Sequence, residues 1–364
     1  MTRVKAFQSV FIMLLACLAL LLAGCNAAPA GTGSEKQEPD NQAAAGEPIT
    51  LSLADYQSPK HFQSVNGTQK WMKRVEELTN GKVKFNYYPG EQLAKASDLL
   101  DLVRTGGADL ANICHCYVAG KMPYLGVTTL PGLIQSAEEG TRASMELIHQ
   151  EPILSTDFLA NGIRPLYSYM SSPYEIYTAS KPVKTLNDMK GLKIRNAGGY
   201  SGKMLELLGA VPVTISAPEQ YEALARKTID GTLFTINSFP TYKLDEVIRY
   251  GTKGVNGPPT MFVIAINEKV WEKLPEDVKK AMMQAGTEIN QSLGRATDES
   301  SSQILDELKK QGKIQVVDVD QEAFRQAVSG IEQEWIKDME AGGYSEAEKV
   351  LQMYKEAIQK VRSN

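Results

Sequence analysis

From residue 49 onward, short apolar runs alternate with longer segments whose apolar residues recur every three or four positions. The first kind reads as β-strand and the second as amphipathic helix. "ITLSLA" (49–54) is a strand. "VNGTQKWMKRVEELTNG" (65–81) is a helix, with Trp71, Val75 and Leu78 on one face and Gly81 at its end. "KVKFNYY" (82–88) is a second strand broken by Pro89-Gly90, "SDLLDLVRTGG" a second helix, and "ADLANI" (108–113) a third strand. This βαβαβ order predicts a largely parallel sheet.

The plan then repeats. "GLKIR" (191–195) is a strand, "SGKMLELLGA" a helix ending near Gly209, and "VPVTI" a strand. Ser216 and Glu219 have capping-box spacing, with Pro218 in the first turn of the following helix. That helix leads into "TLFTI" (232–236). The pattern therefore predicts two α/β lobes of similar plan. A long helical run (275–311), the strand-like "IQVVDV" and two amphipathic helices complete the chain, and a run of that length can bridge two lobes.

The N-terminal 48 residues follow a different pattern. Arg3 and Lys5 precede the apolar "VFIMLLACLALLLA" (10–23), too short for a membrane span and suited to a signal-peptide core. The closing "LAGC" (22–25) resembles a bacterial lipobox, which implies diacylation at Cys25 and stable anchoring by two acyl chains. Residues 26–48 are rich in Ala, Gly, Pro and charge, and read as a flexible tether.

With 364 residues, 43% of them hydrophobic, the chain can bury two cores, and its net charge of −4 gives no electrostatic case for nucleic acid. Only three histidines are present. Cys114 and Cys116 flank His115. On a continuing strand, alternation would put both thiols on one face, in a geometry suited neither to a disulfide nor to a metal, so they read as small buried thiols. No metal or cofactor is expected.

The stretch "DMKGLKIRNAGGYSGK" (188–203) carries the candidate chemistry. It lacks the P-loop pattern, because Ala197 stands where glycine is required and Met204 where a hydroxyl is required. The adjacent Gly198 and Gly199 break the dinucleotide fingerprint, and Ser201 is not in a nucleophile elbow. Arg195 remains, at a strand's C-terminal end and beside the start of the Ser201 helix. Its planar guanidinium fits a carboxylate bidentately, or it could tie the lobes together through an ion pair. The same strand-end logic adds His61, Gln92, His115, Asn196, Gln220 and Tyr221. Each of these could instead be a loop residue bonded to backbone.

Several ordered segments resemble the extracytoplasmic solute-binding subunits (DctP-like) of tripartite ATP-independent periplasmic (TRAP) transporters. They are "ELTNGKVKFNYYPGEQLAKASDLLDLVRTGGADLA", "LPGL" (130–133), "SKPVKTLNDMKGLKIR", "LGAVPVTISAPEQYEALARKTIDG" and "FVIAINEKVWEKLPEDVKKAM". The resemblance implies an α/β, two-lobe, periplasmic-binding-protein-like (type II) fold with crossing hinge strands and a long bridging helix. It implies an Arg195 that holds a substrate carboxylate. The expected organisation is signal peptide 1–24, tether 25–48, one lobe from 49–168 plus about 258–310, and a second from 169–257 plus about 311–364.

Two departures bear on the ligand. Where many relatives carry a second arginine before a Lys-Pro pair, this chain has Glu175, and where many carry an asparagine after Asp-Gly, it has Phe234, with Asn237 three residues later. A single carboxylate anchor with an aromatic or apolar body follows, and Tyr56, Tyr117, Tyr169, Phe234 and Phe239 are wall candidates, with core packing their alternative role. The expected function is capture of a small organic acid by a lipid-anchored protein, which passes it to the small and large membrane subunits of a permease. A ligand sensor or a surface hydrolase is the alternative, and no activated nucleophile is evident for the latter.

Overall fold

A computed structural model describes residues 47–363. The apolar leader, Cys25 and nearly all of the tether lie outside the described residues.

Two sheets organise the body. The first has the order β2-β1-β3-β10-β4 and is built from β1 (Ile49–Asp55), β2 (Val83–Tyr88), β3 (Leu110–Cys114), β4 (Ile163–Met170) and β10 (Met261–Asn267). β1 pairs in parallel with β2 and β3, as the βαβαβ pattern requires, while β10 runs antiparallel between β3 and β4. The second has the order β11-β9-β5-β8-β6-β7, from β5 (Glu175–Thr178), β6 (Lys193–Asn196), β7 (Val211–Thr214), β8 (Gly231–Phe234), β9 (Tyr250–Lys253) and β11 (Gln315–Asp318). Here β6 pairs in parallel with both β7 and β8. Each sheet buries its own apolar cluster, one around Trp71, Leu110 and Tyr167 and the other around Ile194, Leu233 and Phe239.

The chain crosses from the first sheet to the second after β4 and returns before β10. The two crossing segments hydrogen-bond as an antiparallel pair, with Ser171 N donating to Thr260 O at 3.0 Å and Gly257 N to Tyr174 O at 2.9 Å. A third crossing is the 35-residue helix Glu276–Lys310, about 50 Å long at 1.5 Å per residue. Val278, Met282, Ile289 and Leu293 of this helix pack into the first core, and Leu308 packs into the second. The Trp71 indole donates to Met282 O at 3.2 Å, and the Asn290 amide donates to Thr141 O and Ser168 O at 2.7 and 2.8 Å.

One boundary differs from expectation. The C-terminal helix Ala347–Ser363 buries Val350, Leu351, Tyr354 and Ile358 in the first core, where Trp335 and Met339 join them. The second-lobe segment therefore ends near Ile331, and the chain returns to the first lobe. The reason is an apolar stripe on the last helix that packs against the helix Ala137–Leu147.

Candidate functional site

The C-terminal ends of four parallel strands point at one another across the gap between the sheets. After β1 come Tyr56, Gln57, His61 and Gln63; at and after β3, Cys114, Cys116 and Tyr117; after β6, Ala197; after β8, Thr235 and Ser238. These residues, with Ser171, Tyr174, Arg195, Ala217, Phe234, Tyr242, Thr260 and Phe262, line a small, tightly closed cavity of about 20 Å³.

Arg195 is fully buried. Its Nε donates to Ile215 O at 2.9 Å and its guanidinium carbon lies 5.2 Å from the centre of the Phe234 ring. Neither Nη1 nor Nη2 has a hydrogen-bond partner among the described residues, and no carboxylate there pairs with the side chain. An interlobe ion pair is thereby ruled out as its role in the described body. A buried cation with two idle donors carries a desolvation cost that an anion in the cavity would offset. The walls are aromatic: Tyr56, Tyr117, Tyr174, Phe234, Tyr242 and Phe262. Tyr56 and Tyr117 meet edge to face at 5.8 Å.

The lining also carries polar groups. The Oε1 atoms of Gln57 and Gln63 are buried and unpartnered among the described residues. His61 Nε2 lies 3.1 Å from Ser238 Oγ, joining the lobes, and Gln63 N donates to His61 Nδ1 at 3.3 Å. A ring nitrogen that accepts from an amide carries no proton, so neutral His61 holds its proton on Nε2 and donates it to Ser238. Burial pushes the His61 pKa down to about 4, which keeps the ring neutral. His61 therefore cannot take a proton from Ser238, and the pair lacks the polarity of a hydrolytic dyad. A second lobe-to-lobe bond runs from Ala217 N to Tyr117 Oη at 3.0 Å.

Of the residues expected from sequence, Arg195, Tyr56, His61, Phe234 and Tyr117 meet at the cavity. The others are placed elsewhere. Asn196 turns its Oδ1 to Gly198 N at 2.8 Å, and Gln220 accepts from Thr232 Oγ1 at 3.0 Å. Asn237 accepts from Thr235 Oγ1 at 3.1 Å. Tyr169 bonds Asn112 and stacks on Phe262 at 4.8 Å, one layer behind the wall, while Phe239 packs on Tyr177. His115 bonds Met122 O at 3.0 Å, Tyr221 donates to Glu246, and Gln92 is exposed. Glu175 is occupied by Thr252 Oγ1, Gly254 N and Val255 N, so it does not stand in for a second anchor. The helix Tyr200–Leu207 begins beyond the cavity, and neither Tyr200 nor Ser201 lines it.

The cysteine expectation is overturned. Cys114 and Cys116 form a disulfide with a Cα–Cα separation of 5.3 Å. Strand alternation fails because β3 stops at Cys114 and a helical turn, His115–Val118, begins at the next residue, swinging Cys116 back towards Cys114. Gln57, Gln63, Tyr174, Tyr242 and Phe262 went unforeseen. Phe262 lies on antiparallel β10, directly opposite Cys114, a pairing that carries no local sequence signal.

Residues 53–338 match the bacterial extracellular solute-binding protein family 7. A crystal structure of a TRAP periplasmic solute-binding protein from Bordetella bronchiseptica, with bound (R)- and (S)-mandelate, has TM-score 0.79 and 27% identity, over 86% of this chain and 100% of that one. A TRAP solute-binding protein from Rhodoferax ferrireducens, in complex with copurified benzoate, has TM-score 0.80 and 26% identity, over 86% and 98%. A solute-binding protein from Albidiferax ferrireducens is 29% identical over 59% of this chain, and the match spans 63% of that protein's length.

Proposed function

This chain belongs to the bacterial extracellular solute-binding proteins of family 7, and from that premise we propose that it captures a small aromatic monocarboxylate between its lobes for delivery to a TRAP permease. The carrying observation is the buried Arg195 guanidinium with two idle donors at the end of a cavity walled by six aromatic rings. A carboxylate would accept both Nη donors in a bidentate pair. Its ring would lie among Phe234, Tyr174, Tyr242 and Phe262, in offset or edge contacts. The mandelate and benzoate held by the two similar structures are of this chemical class. Gln57 and Gln63 would accept from a hydroxyl on the far side of the ligand. The protein would be held at the membrane by lipidated Cys25 through the 26–48 tether, and the permease subunits would receive the ligand when the lobes part.

Isothermal titration with benzoate, mandelate, succinate and a sugar acid tests this reading. Benzoate or mandelate is expected to bind most tightly. Arg195→Ala is expected to lose about 2–5 kcal/mol, a drop of roughly 30- to several-thousand-fold in affinity. A twofold loss, or a preference for succinate, would refute the anchor or the ligand class respectively.

A further inference from the structure

The disulfide sits in the wall of the cavity. Both Cys114 and Cys116 line it. Cys114 is buried and faces Phe262 across the β3–β10 pairing, whereas Cys116 is partly exposed. The residue that follows is Tyr117, whose hydroxyl accepts from Ala217 N of the opposite lobe. The carbonyl of Cys116 lies against Gly198, three residues after Arg195: a Cβ there would stand 3.1 Å from that oxygen, and Gly198 has φ +106°. One four-residue segment thus forms the cavity wall, carries a lobe-to-lobe hydrogen bond and abuts the loop that follows the guanidinium.

We propose that the Cys114–Cys116 disulfide is a redox-responsive positioning element of the ligand site, so that a dithiol reductant outside the cytoplasm lowers ligand affinity. The step balances simply. A thiolate of the reductant attacks Sγ of Cys116, the less buried of the two residues, and displaces the Cys114 thiolate, which takes up a proton. The reductant's second thiolate then resolves the mixed disulfide and releases the Cys116 thiolate, which is protonated in turn. The reductant leaves as a disulfide and this chain holds two thiols. Two consequences follow. Two thiol sulfurs need van der Waals separation rather than a bond length, so one of them intrudes on the cavity or displaces Phe262. The turn also regains conformational freedom, so placing Tyr117 against Ala217 costs more entropy at each closure. Neither effect touches the Arg195 donors, so affinity falls without being abolished.

This inference rests on the organic-acid reading only through its binding readout, so the experiment carries a second readout that needs no ligand. The full chain is treated with dithiothreitol, the 105–121 tryptic peptide is mapped for alkylated cysteines, and benzoate affinity and hydrogen exchange around Ala217 are measured before and after. The untreated peptide is expected to carry the disulfide. Reduction should weaken benzoate binding about tenfold or more, the scale of 1.4 kcal/mol, and speed exchange of the Ala217 amide. Reoxidation should restore both. Cys114→Ser/Cys116→Ser should stay at the weak, fast-exchanging level and ignore dithiothreitol; if that variant fails to fold, the wild-type reduction cycle decides alone. Two alkylated cysteines in untreated protein, or unchanged affinity and exchange after proven reduction, would overturn the proposal. If oxidised wild type does not bind benzoate, the proposed ligand class fails, and the Ala217 exchange still decides the fate of the disulfide's role.

Discussion

At the scale of single residues, Arg195 shows how a binding site departs from ordinary core rules. A buried guanidinium without a carboxylate is held in place here by one carbonyl and one aromatic face. Because it contributes so little to the unliganded fold, Arg195→Ala should melt within about 3 °C of wild type without ligand, the shift expected for roughly 1 kcal/mol or less in a body of this size. Asp157 behaves oppositely. Its carboxylate accepts from Leu125 N at 2.7 Å and Tyr124 N at 3.3 Å, yet burial pushes its pKa up to about 7. A carboxyl whose folded pKa is raised holds a proton that the unfolded chain has released, so its contribution to stability falls as pH rises from about 4 to 7. Asp55, pushed up to about 6, has the same sign, and the buried histidines His61 and His115, both near 4, have the opposite one. The difference between wild type and Asp157→Asn isolates the term. Chemical denaturation from pH 4 to 7 should show the wild type losing stability relative to the variant, and parallel curves would contradict the assignment. The type of each cavity residue was partly legible in sequence. Arg195 and His61 announced themselves by chemistry and by strand-end position. Asn196, Gln220 and Asn237 share that position but spend their amide oxygens on local groups, leaving their buried amide nitrogens without a partner among the described residues, and spacing alone does not foretell this.

At the scale of elements, the alternation of apolar runs and amphipathic segments carried most of the information. The parallel pairings of β1 with β2 and β3, and of β6 with β7 and β8, follow from it directly. Element ends were less legible. β3 ends one residue before the turn that closes the disulfide, and Glu219 accepts from Ser216 N and Oγ at 3.0 and 2.6 Å while the regular helix begins only at Gln220. The antiparallel insertion of β10 depends on contacts between residues 150 positions apart, which no local pattern encodes. The bridging helix is fixed on the first lobe at Gly294, where an added Cβ would fall 2.6 Å from Glu138 Cα and 2.9 Å from Ala137 O. One turn on, Asp298 accepts from Ala137 N and Glu138 N at 2.8 and 2.9 Å, capping the neighbouring helix. Gly294→Ala must therefore push two helices apart, against backbone that cannot yield. We expect a loss of about 1–3 kcal/mol, the usual cost of overpacking, read as a lower urea midpoint. An unchanged midpoint would show that the helices are less tightly coupled.

At the scale of the whole molecule, the two lobes are joined by four crossings, the last being the return of the chain after Ile331, and by bonds across the cleft from His61 to Ser238 and from Ala217 to Tyr117. Charge, aromatic wall and disulfide come from different lobes, so the site exists only when the halves meet. The resemblance of short ordered motifs pointed to this architecture. The return of the C-terminal helix to the first lobe was not legible, because an amphipathic stripe states that a helix is buried on one side but not against which partner. The central claim is that Arg195 grips the ligand's carboxylate between the lobes. A crystal structure with benzoate tests it most directly. The account predicts both carboxylate oxygens within about 2.7–3.1 Å of Arg195 Nη1 and Nη2, with the ring among Phe234, Tyr174 and Phe262. Benzoate bound elsewhere, or seated in the cavity with its carboxylate away from Arg195, would contradict it.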